Sequence, residues 1–485
     1  MSELLDLEAV KRRSVTGVVT ITARTFALQI VTFIATFLLT VLLSPQDYGT
    51  FFVVSAVVNF LVYFSDIGLA AALIQKKDNL TDEDLYTTFT IQQSLVICIV
   101  IVTLISSAPI ANFYHFSISG LWLFRSLVVS LFLSSLKTIP SIKLERRLEF
   151  GKLIIPQIAE NLVFYIVAVY LAWQGQGITS FTVAVLARSL VGLIIMYILA
   201  PWWPKFSVNR NAAKSLLKFG VPFQLNSFLA LIKDDFLTAF LGTILPLTQI
   251  GYLGWAQKWA LFPLRMFMDS INKVTFPAYA RLQHHPDALK RAIEKSLFFV
   301  SLFISPIIVG LVVTAPKFVL LIPRYQKWEP ALLALVFFGV NGMWASISTT
   351  ITNAFAAIGK IKLNLKLMVM WTALTWILTP ILVLKFGYNG AALASALVAT
   401  SSFVPIIILK KLLPIDIGGN ITLNVTSALI MGAVAWVLVR PVSNLPGLFL
   451  AIGASGVLYI LMVMALQRNK LFAEIASVRQ IINKK

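Results

Sequence analysis

Residues 15–43 read VTGVVTITARTFALQIVTFIATFLLTVLL, an apolar block with a single charged side chain, Arg24. A helix needs about 20 such residues to cross roughly 30 Å of hydrocarbon, and this block exceeds that length. It is about twice as long as the apolar part of a secretory signal, and no small-residue cleavage site follows it. We therefore expect a helix that stays in the membrane.

Blocks of the same kind recur along the whole chain, in which 58% of the residues are hydrophobic and 12% are charged. This composition is typical of a membrane protein. No soluble domain fits between the blocks, so we predict an all-α polytopic membrane protein of about 14 transmembrane helices. Beyond the first block, the predicted helices lie near 50–74, 85–107, 119–139, 153–172, 178–200, 215–245, 248–280, 296–320, 328–356, 361–384, 389–410, 421–440 and 445–466.

The order of the blocks predicts two lobes of six helices each. A shift of 202 positions places Leu43 on Leu245 and Gly49 on Gly251, as an internal duplication would, and transporters build two halves in this way. The last segment, residues 467–485, is predicted to be an amphipathic helix that lies on anionic lipid. The predicted segments are a cytoplasmic N-terminus 1–14, an N-lobe 15–200, a linker 201–214, a C-lobe 215–410, a helix pair 421–466 and a tail 467–485.

The basic residues predict the orientation in the membrane. Counted in alternate gaps, 28 of the 40 lie on one side, five lie on the other, and seven lie inside the blocks. By the positive-inside rule, the richer side is cytoplasmic and so are both termini, as in a bacterial inner-membrane protein. The net charge of +20 thus results mainly from basic residues in the cytoplasmic gaps, and it does not indicate nucleic-acid binding. We expect no cofactor and no metal, since Cys98 is the one cysteine and no ligand cluster is evident.

Twelve charged residues are candidates for charges at membrane depth, when charges toward the ends of the predicted spans are counted with the adjoining gaps. A charge at this depth costs at least about 2.5 to 3.5 kcal/mol, so it normally faces a bundle interior or a watery cavity. They are Arg24, Asp66, Arg125, Glu160, Arg188, Lys233, Asp234, Asp235, Lys258, Arg265, Asp269 and Lys273.

Four of these residues form a row on the predicted eighth helix. At 100° per residue, Lys258, Arg265, Asp269 and Lys273 fall within a sector of about 80°. Pro263 lies within the row, where a kink is expected. Cations in such a row can bind phosphate through charge-assisted hydrogen bonds. The alternative is internal pairing, because Asp269 lies four residues from both Arg265 and Lys273.

The remaining charges also allow two interpretations. Arg125, Arg188 and Lys233 are further candidates for lining a cationic cavity that binds the substrate. Alternatively, Asp234 and Asp235 neutralise the adjoining Lys233, and Arg125 extends to the membrane surface. A buried carboxylate ties its protonation to the local charge, which makes the five acids candidates for coupling to H⁺ or Na⁺. For Asp66, a cap or a salt bridge is the competing interpretation.

Six short segments resemble the polysaccharide transporter family, the Wzx-type flippases of the multidrug/oligosaccharidyl-lipid/polysaccharide exporter superfamily. The resemblance runs from about residue 10 to 410, and the count of fourteen helices is similar to that of the longer, colanic-acid-type branch. The segments are Leu43–Gly49 (LSPQDYG), Asp66–Leu69 (DIGL), Leu144–Phe150 (LERRLEF), Phe219–Pro222 (FGVP), Gly251–Ala256 (GYLGWA) and Phe276–Gln283 (FPAYARLQ).

The resemblance implies two lobes around a central cationic cavity and an undecaprenyl-diphosphate-linked sugar repeat unit as substrate. This unit would pass from the cytoplasmic to the outer leaflet by alternating access, for exopolysaccharide, capsule or O-antigen synthesis. The partners that the resemblance implies are membrane lipids and a polysaccharide polymerase or the export machinery. In this scheme Arg24 and the eighth-helix row hold the diphosphate, and Trp255 and Trp259 stack on sugars. The chain departs from its relatives at Arg324–Trp328, where it carries added positive charge.

Three other functions compete with this one. A drug or organic-cation antiporter of the same superfamily fits poorly with seven internal basic residues. A membrane glycosyltransferase, polymerase or ligase would need catalytic groups on a sizeable outer loop, where we find only Asp47 and Glu329. A structural scaffold would leave the internal charges unexplained. No nucleotide-binding motif is present, so the energy would come from an ion gradient, the membrane potential or product consumption.

Overall fold

A computed structural model describes residues 28–76, 78 and 80–483, without the side chains of 223, 225–227, 269–270 and 469–483. No strand occurs among these residues. Ten of the described helices are long and apolar enough to cross a membrane, and a shorter apolar helix covers Leu28–Leu42. The all-α polytopic class is thus confirmed. Each of the fourteen predicted ranges overlaps a described helix, but the count of fourteen spans remains a prediction.

The chain divides into two compact units after Gly251, within a long helix. The helices before the division pack mainly as α8 on α9, with α6 against α9, α2 and α4. They are α1 (Leu28–Leu42), α2 (Pro45–Tyr63), α3 (Leu69–Gln75), α4 (Asp82–Ile105), α5 (Ser107–Phe113), α6 (Ile118–Ser135), α7 (Thr138–Arg146), α8 (Phe150–Trp173), α9 (Thr179–Leu199), α10 (Arg210–Leu231), a π-helical turn (Ile232–Phe236) and α11 (Leu237–Ile244).

The second unit begins within α12 (Leu247–Leu282). Here α13 packs on α14 and α18, and α16 packs on α14 and α15. Its other helices are α13 (Pro286–Leu321), a 3₁₀ turn (Gln326–Ala331), α14 (Leu332–Ala357), α15 (Ile361–Phe386), α16 (Tyr388–Thr400), α17 (Phe403–Leu412), α18 (Ile417–Val439) and α19 (Leu445–Asn483). In this division α10 and α11 belong with the first unit, whereas the predicted lobe boundary lies at the linker 201–214. The two lobes of six helices stay a prediction.

The second predicted span is broken in the structure. Residues 50–74 form the end of α2 and then α3, separated by a turn at residues 64–68. Ile67 and Gly68 both have positive φ, 45° and 75°, which ends the right-handed helix. A capping box starts α2, because the Ser44 hydroxyl accepts the Asp47 N–H at 3.1 Å and the Asp47 carboxylate accepts the Ser44 N–H at 3.2 Å.

A single arginine clamps the end of α3. The Nη1 group of Arg146 donates to the carbonyl oxygens of Leu73 at 2.9 Å and Lys76 at 2.5 Å, and Nη2 donates to that of Asp78 at 2.8 Å. These are carbonyls that a helix end and its following turn leave without an intrahelical partner. A cation at a helix C-terminus is also favoured by the helix dipole. We refer to these contacts as the Arg146 clamp.

A buried amide network fastens the C-terminal helix pair to α13. The Asn424 side chain is fully buried and donates to the Phe298 carbonyl at 3.1 Å and the Ser301 hydroxyl at 2.8 Å. Gln467 donates to the Asn424 side-chain oxygen at 2.9 Å. Gln467 also interrupts α19 with φ −130° and ψ 24°. The hydrogen bond therefore fixes the residue at which α19 changes direction.

Replacing Gln467 with leucine should lower stability by about 1–3 kcal/mol, because the Asn424 oxygen would stay buried without a donor. Thermal unfolding of the purified protein in detergent measures this effect. The Asn424→Leu/Gln467→Leu double variant should lose less than the two single variants together, since it removes both partners. Strictly additive losses would show that the two amides are not coupled.

Candidate functional site

The charged residues predicted within the membrane lie on several different helices of the structure. Arg24 lies outside the described residues, and so does the side chain of Asp269. The others fall into a cluster on α8 and α9, a row on α12, a group at the π-helical turn, and two isolated positions, Asp66 and Arg125.

The cluster on α8 and α9 centres on Glu160. Its carboxylate forms a salt bridge with Lys137, and the two side chains keep only 24% and 14% of their surface exposed. It also interacts electrostatically with Arg188 on α9. The guanidinium of Arg188 lies over the ring of Phe164, one turn along α8 from Glu160, at 5.1 Å from the ring centre. Two cations thus share one carboxylate, and this site has a net charge of +1.

A glycine makes room for this cluster. A Cβ atom on Gly192 would collide with the carboxylate of Glu160, so a larger residue on α9 would displace it. One turn before Gly192 on α9, the hydroxyl of Ser189 forms a buried hydrogen bond at 2.6 Å with the hydroxyl of Ser130, which joins α6 to α9. The prediction from sequence missed Lys137, because it was counted with the cytoplasmic gap after the fourth span.

The row on α12 keeps its alignment in the structure. The helix runs without interruption through Pro263, so the intervals of 7, 4 and 4 residues hold Lys258, Arg265, Asp269 and Lys273 on one face. Lys258 is half-buried, and Arg265 and Lys273 are exposed. Among the described side chains, none of these three cations forms a salt bridge; Asp269 is not one of those side chains.

The adjoining face of α12 is packed against α13. Met268 forms a buried core with Val300, Ile304 and Ile308, and Leu264 packs against it. This packing fixes the rotation of α12 about its axis. The cationic row therefore lies on the side of α12 turned away from α13, where Arg265 and Lys273 are exposed.

The two predicted sugar-stacking tryptophans are both buried. The ring of Trp255 stacks on Trp328 at 5.5 Å between centres, and its N–H donates to the hydroxyl of Tyr325 at 3.0 Å. Trp259 is 7% exposed. Tyr325 and Trp328, in the segment Arg324–Trp328, thus form an aromatic core with Trp255. The role of Trp255 and Trp259 in sugar binding stays a prediction.

The π-helical turn carries Lys233, Asp234 and Asp235. Lys233 and Asp234 form a salt bridge at 3.4 Å, and Asp235 accepts a hydrogen bond from the Asn59 side chain at 3.2 Å. Short π-helical segments inside α-helices are frequent at functional sites. Part of the charge here is therefore neutralised locally, and Asp234 remains exposed.

The two isolated charges have local partners. The carboxylate of Asp66 accepts the backbone N–H of Ala70 at 3.2 Å, at the start of α3. The guanidinium of Arg125 donates to the Ser107 hydroxyl at 3.0 Å and lies 5.2 Å from the ring centre of the exposed Trp122. These contacts support a structural role for each, as a helix cap and a packing contact.

Most of the six sequence segments that carry the family resemblance lie where two helices contact each other. A Cβ atom on Gly49 would collide with the Leu247 carbonyl, and one on Gly251 would collide with the Pro45 carbonyl, so α2 and α12 cross backbone to backbone. Gly68 and Gly220 meet in the same way where α3 crosses α10. Arg146 supplies the clamp described above, and Tyr279 is buried in the core of the second unit.

Taken together, the described residues offer cationic sites for an anion, and no cluster of three or more metal-ligating side chains occurs among them. One site combines Lys137, Glu160 and Arg188, and the other combines Lys258, Arg265 and Lys273. The cations of the α12 row suit phosphate groups, which bind guanidinium and ammonium groups through charge-assisted hydrogen bonds.

Comparison with known proteins gives a consistent result. Residues 38–333 match the family described as "Polysaccharide biosynthesis protein". The succinoglycan biosynthesis transport protein ExoT of Rhizobium meliloti is 24% identical over 61% of this chain and 56% of its own length. The amylovoran biosynthesis protein AmsL of Erwinia amylovora is 22% identical over 59% of this chain and 74% of its own. The lipopolysaccharide biosynthesis protein WzxC of Escherichia coli is 25% identical over 41% and 38%.

Solved structures of low sequence identity share the fold. The lipid II flippase MurJ in its inward closed conformation matches with a TM-score of 0.74, covering 92% of this chain and 99% of that one at 16% identity. An inward-facing multidrug resistance transporter of the MATE family matches with a TM-score of 0.59, covering 80% and 94% at 15% identity.

Proposed function

Because this chain belongs to the polysaccharide biosynthesis protein family, we propose that it is a flippase for oligosaccharides linked to undecaprenyl diphosphate. It is a multi-pass membrane protein with a transporter fold and not an enzyme. In this proposal it resides in the bacterial inner membrane with both termini in the cytoplasm. It delivers repeat units to the outer leaflet for exopolysaccharide, capsule or O-antigen synthesis, where a polymerase or the export machinery consumes them.

The cationic row on α12 is the observation that carries the proposal. A diphosphate and its sugars cannot cross hydrocarbon without partners, whereas the lipid tail can remain in the bilayer throughout. Lys258, Arg265 and Lys273 offer three positive charges at successive depths along one face, with Arg265 and Lys273 exposed. The diphosphate would contact these side chains in turn as the protein alternates between inward and outward states, and Arg24 would add a further contact.

The cluster around Glu160 supports a second role in the same cycle. Glu160 forms a salt bridge with Lys137 and interacts electrostatically with Arg188, so a change in the charge of any one of the three alters the charge balance of the other two. We assign this cluster, with Asp66, Asp234, Asp235 and Asp269 as further candidates, to coupling with H⁺ or Na⁺. Trp259 and Trp255 remain the candidates for contact with sugars.

Transfer of a fluorescent lipid-diphosphate oligosaccharide between leaflets of reconstituted vesicles tests the proposal. Lys258→Ala and Arg265→Ala should each slow transfer roughly tenfold to a hundredfold, the effect of losing a charged hydrogen bond of about 1.5–3 kcal/mol. Arg24→Ala should act in the same direction.

The matched control is Lys385→Ala, which removes an exposed lysine in the last turn of α15 that belongs to no proposed site. It should transfer at the wild-type rate. Wild-type transfer in both Lys258→Ala and Arg265→Ala would remove the headgroup role of α12. Transfer of a drug cation in place of the lipid-linked sugar would favour the antiporter.

A further inference from the structure

A groove lies in the second unit where the turn between α14 and α15 meets the end of α17. Its volume is about 540 Å³, within the range of roughly 300–1,000 Å³ typical of small-molecule sites. It belongs to neither of the charged sites described above. The residues that line it are Gly359, Lys360, Ile361, Lys362, Leu363, Ile408, Lys411 and Leu412.

The lining combines a wall of aliphatic side chains with three lysines. Ile361 keeps 67% of its surface exposed and Leu412 keeps 43%, so the wall is open to the surroundings of the protein. Leu363 and Ile408 pack against the buried core around Leu409, which gives the groove a firm floor. A site with one apolar side and one cationic side matches a molecule with the same two parts.

Within the described residues, the lysines of the groove are not engaged in salt bridges with the nearby acids. Residues 330–415 contain six lysines and no aspartate or glutamate. In the part of the chain that the structure describes, Lys360, Lys362 and Lys411 form no salt bridge. The next acid, Asp416, accepts the backbone N–H of Gly419 at 2.9 Å as the cap of α18.

The predicted topology places the groove at the cytoplasmic membrane face. The positive-inside count places the gap after the tenth span and the gap after the twelfth span on the same, cytoplasmic side. The structure brings residues of both gaps into one groove. The inner leaflet at this face carries the anionic lipids that basic pockets between helices bind.

We propose that this groove binds one anionic phospholipid of the cytoplasmic leaflet. The phosphate lies among Lys360, Lys362 and Lys411, and an acyl chain lies along Ile361, Ile408 and Leu412. Such a lipid would brace the junction of α14 and α15 against the end of α17. This site does not depend on the proposed flippase activity.

Native mass spectrometry of the purified protein, titrated with phosphatidylglycerol or phosphatidylcholine in detergent, tests the proposal. Wild type should retain one phosphatidylglycerol in preference to phosphatidylcholine. Each lysine near an anionic headgroup contributes roughly a fivefold factor. Lys360→Gln/Lys362→Gln/Lys411→Gln should therefore need about a hundredfold more phosphatidylglycerol for half occupancy, and Lys362→Gln alone roughly fivefold more.

The control is Lys205→Gln/Lys214→Gln/Lys218→Gln, which removes the same charge from exposed lysines of the first unit. It should bind phosphatidylglycerol as wild type does. Leu412→Asn, which keeps all three lysines, should weaken binding through the apolar wall. Equal binding of the two lipids by wild type, or unchanged binding in the groove variants, would overturn the proposal. Displacement by inorganic phosphate would also overturn it, because it would identify a free-phosphate site.

Discussion

Gly251→Val is expected to leave almost no folded protein. A side chain at this position would collide with the carbonyl of Pro45, and the reciprocal glycine, Gly49, lies against the carbonyl of Leu247. Crossings of small residues let helices in membranes approach with their backbones in contact. An ordinary overpacked core costs typically about 1–3 kcal/mol because side chains can move aside. Here the added side chain would collide with backbone atoms, which cannot move aside, so the loss of stability should exceed that range.

Fluorescence-detected size-exclusion chromatography of a fusion protein measures the result as the area of the monodisperse peak. The matched control is Gly453→Val on α19, where an added Cβ atom has no neighbour within 4 Å. It introduces the same side chain into a helix of the same protein and should keep the wild-type peak. Equal peaks for the two variants would show that the α2–α12 crossing tolerates a side chain.

Glu160→Gln should destabilise the protein by about 3 kcal/mol. The exchange keeps the shape of the side chain but leaves Lys137 and Arg188 without their counter-charge. Breaking a buried pair costs about 3–5 kcal/mol, and the partial exposure of this pair favours the lower end. The midpoint of thermal unfolding measures the effect. Replacing Lys137 in the Glu160→Gln variant should recover part of the lost stability.

The exposed pair of Lys152 and Glu149 provides the comparison. Its side chains keep 54% and 31% of their surface exposed, although their atoms approach to 2.6 Å. An exposed pair contributes at most about 1 kcal/mol, so Glu149→Gln should shift the midpoint far less than Glu160→Gln. Equal shifts would mean that the cluster around Glu160 is hydrated and not a buried charge centre.

Much of the fold follows from hydropathy, because a lipid-facing helix must present an uninterrupted apolar surface. The fourteen apolar ranges each overlap a described helix, and the resemblance drawn from the six motifs is confirmed by the family match. The break at Ile67 and Gly68 was not predicted. It depends on two positive φ angles and on contact with Gly220, 152 positions away, and neither leaves a gap in the hydrophobic pattern.

The candidate site was predictable only in part. Periodicity along one helix predicted the α12 row, since residues on a continuous helix keep a fixed angular relation. Contacts between helices are not encoded in such spacing. The prediction therefore found Glu160 and Arg188 as isolated charges and did not connect them with Lys137. In the same way it did not foresee that Trp328 covers one face of Trp255.

The Arg146 clamp has a consequence for biogenesis. Its acceptors lie at Leu73, Lys76 and Asp78, so roughly 70 further residues must leave the ribosome before the donor exists. At about 5–20 residues per second, that delay is roughly 4–14 s. During this interval the C-terminal end of α3 has carbonyls with only water or the translocation machinery to satisfy them. The C-terminal end of α3 therefore gains these hydrogen bonds only once α7 has emerged.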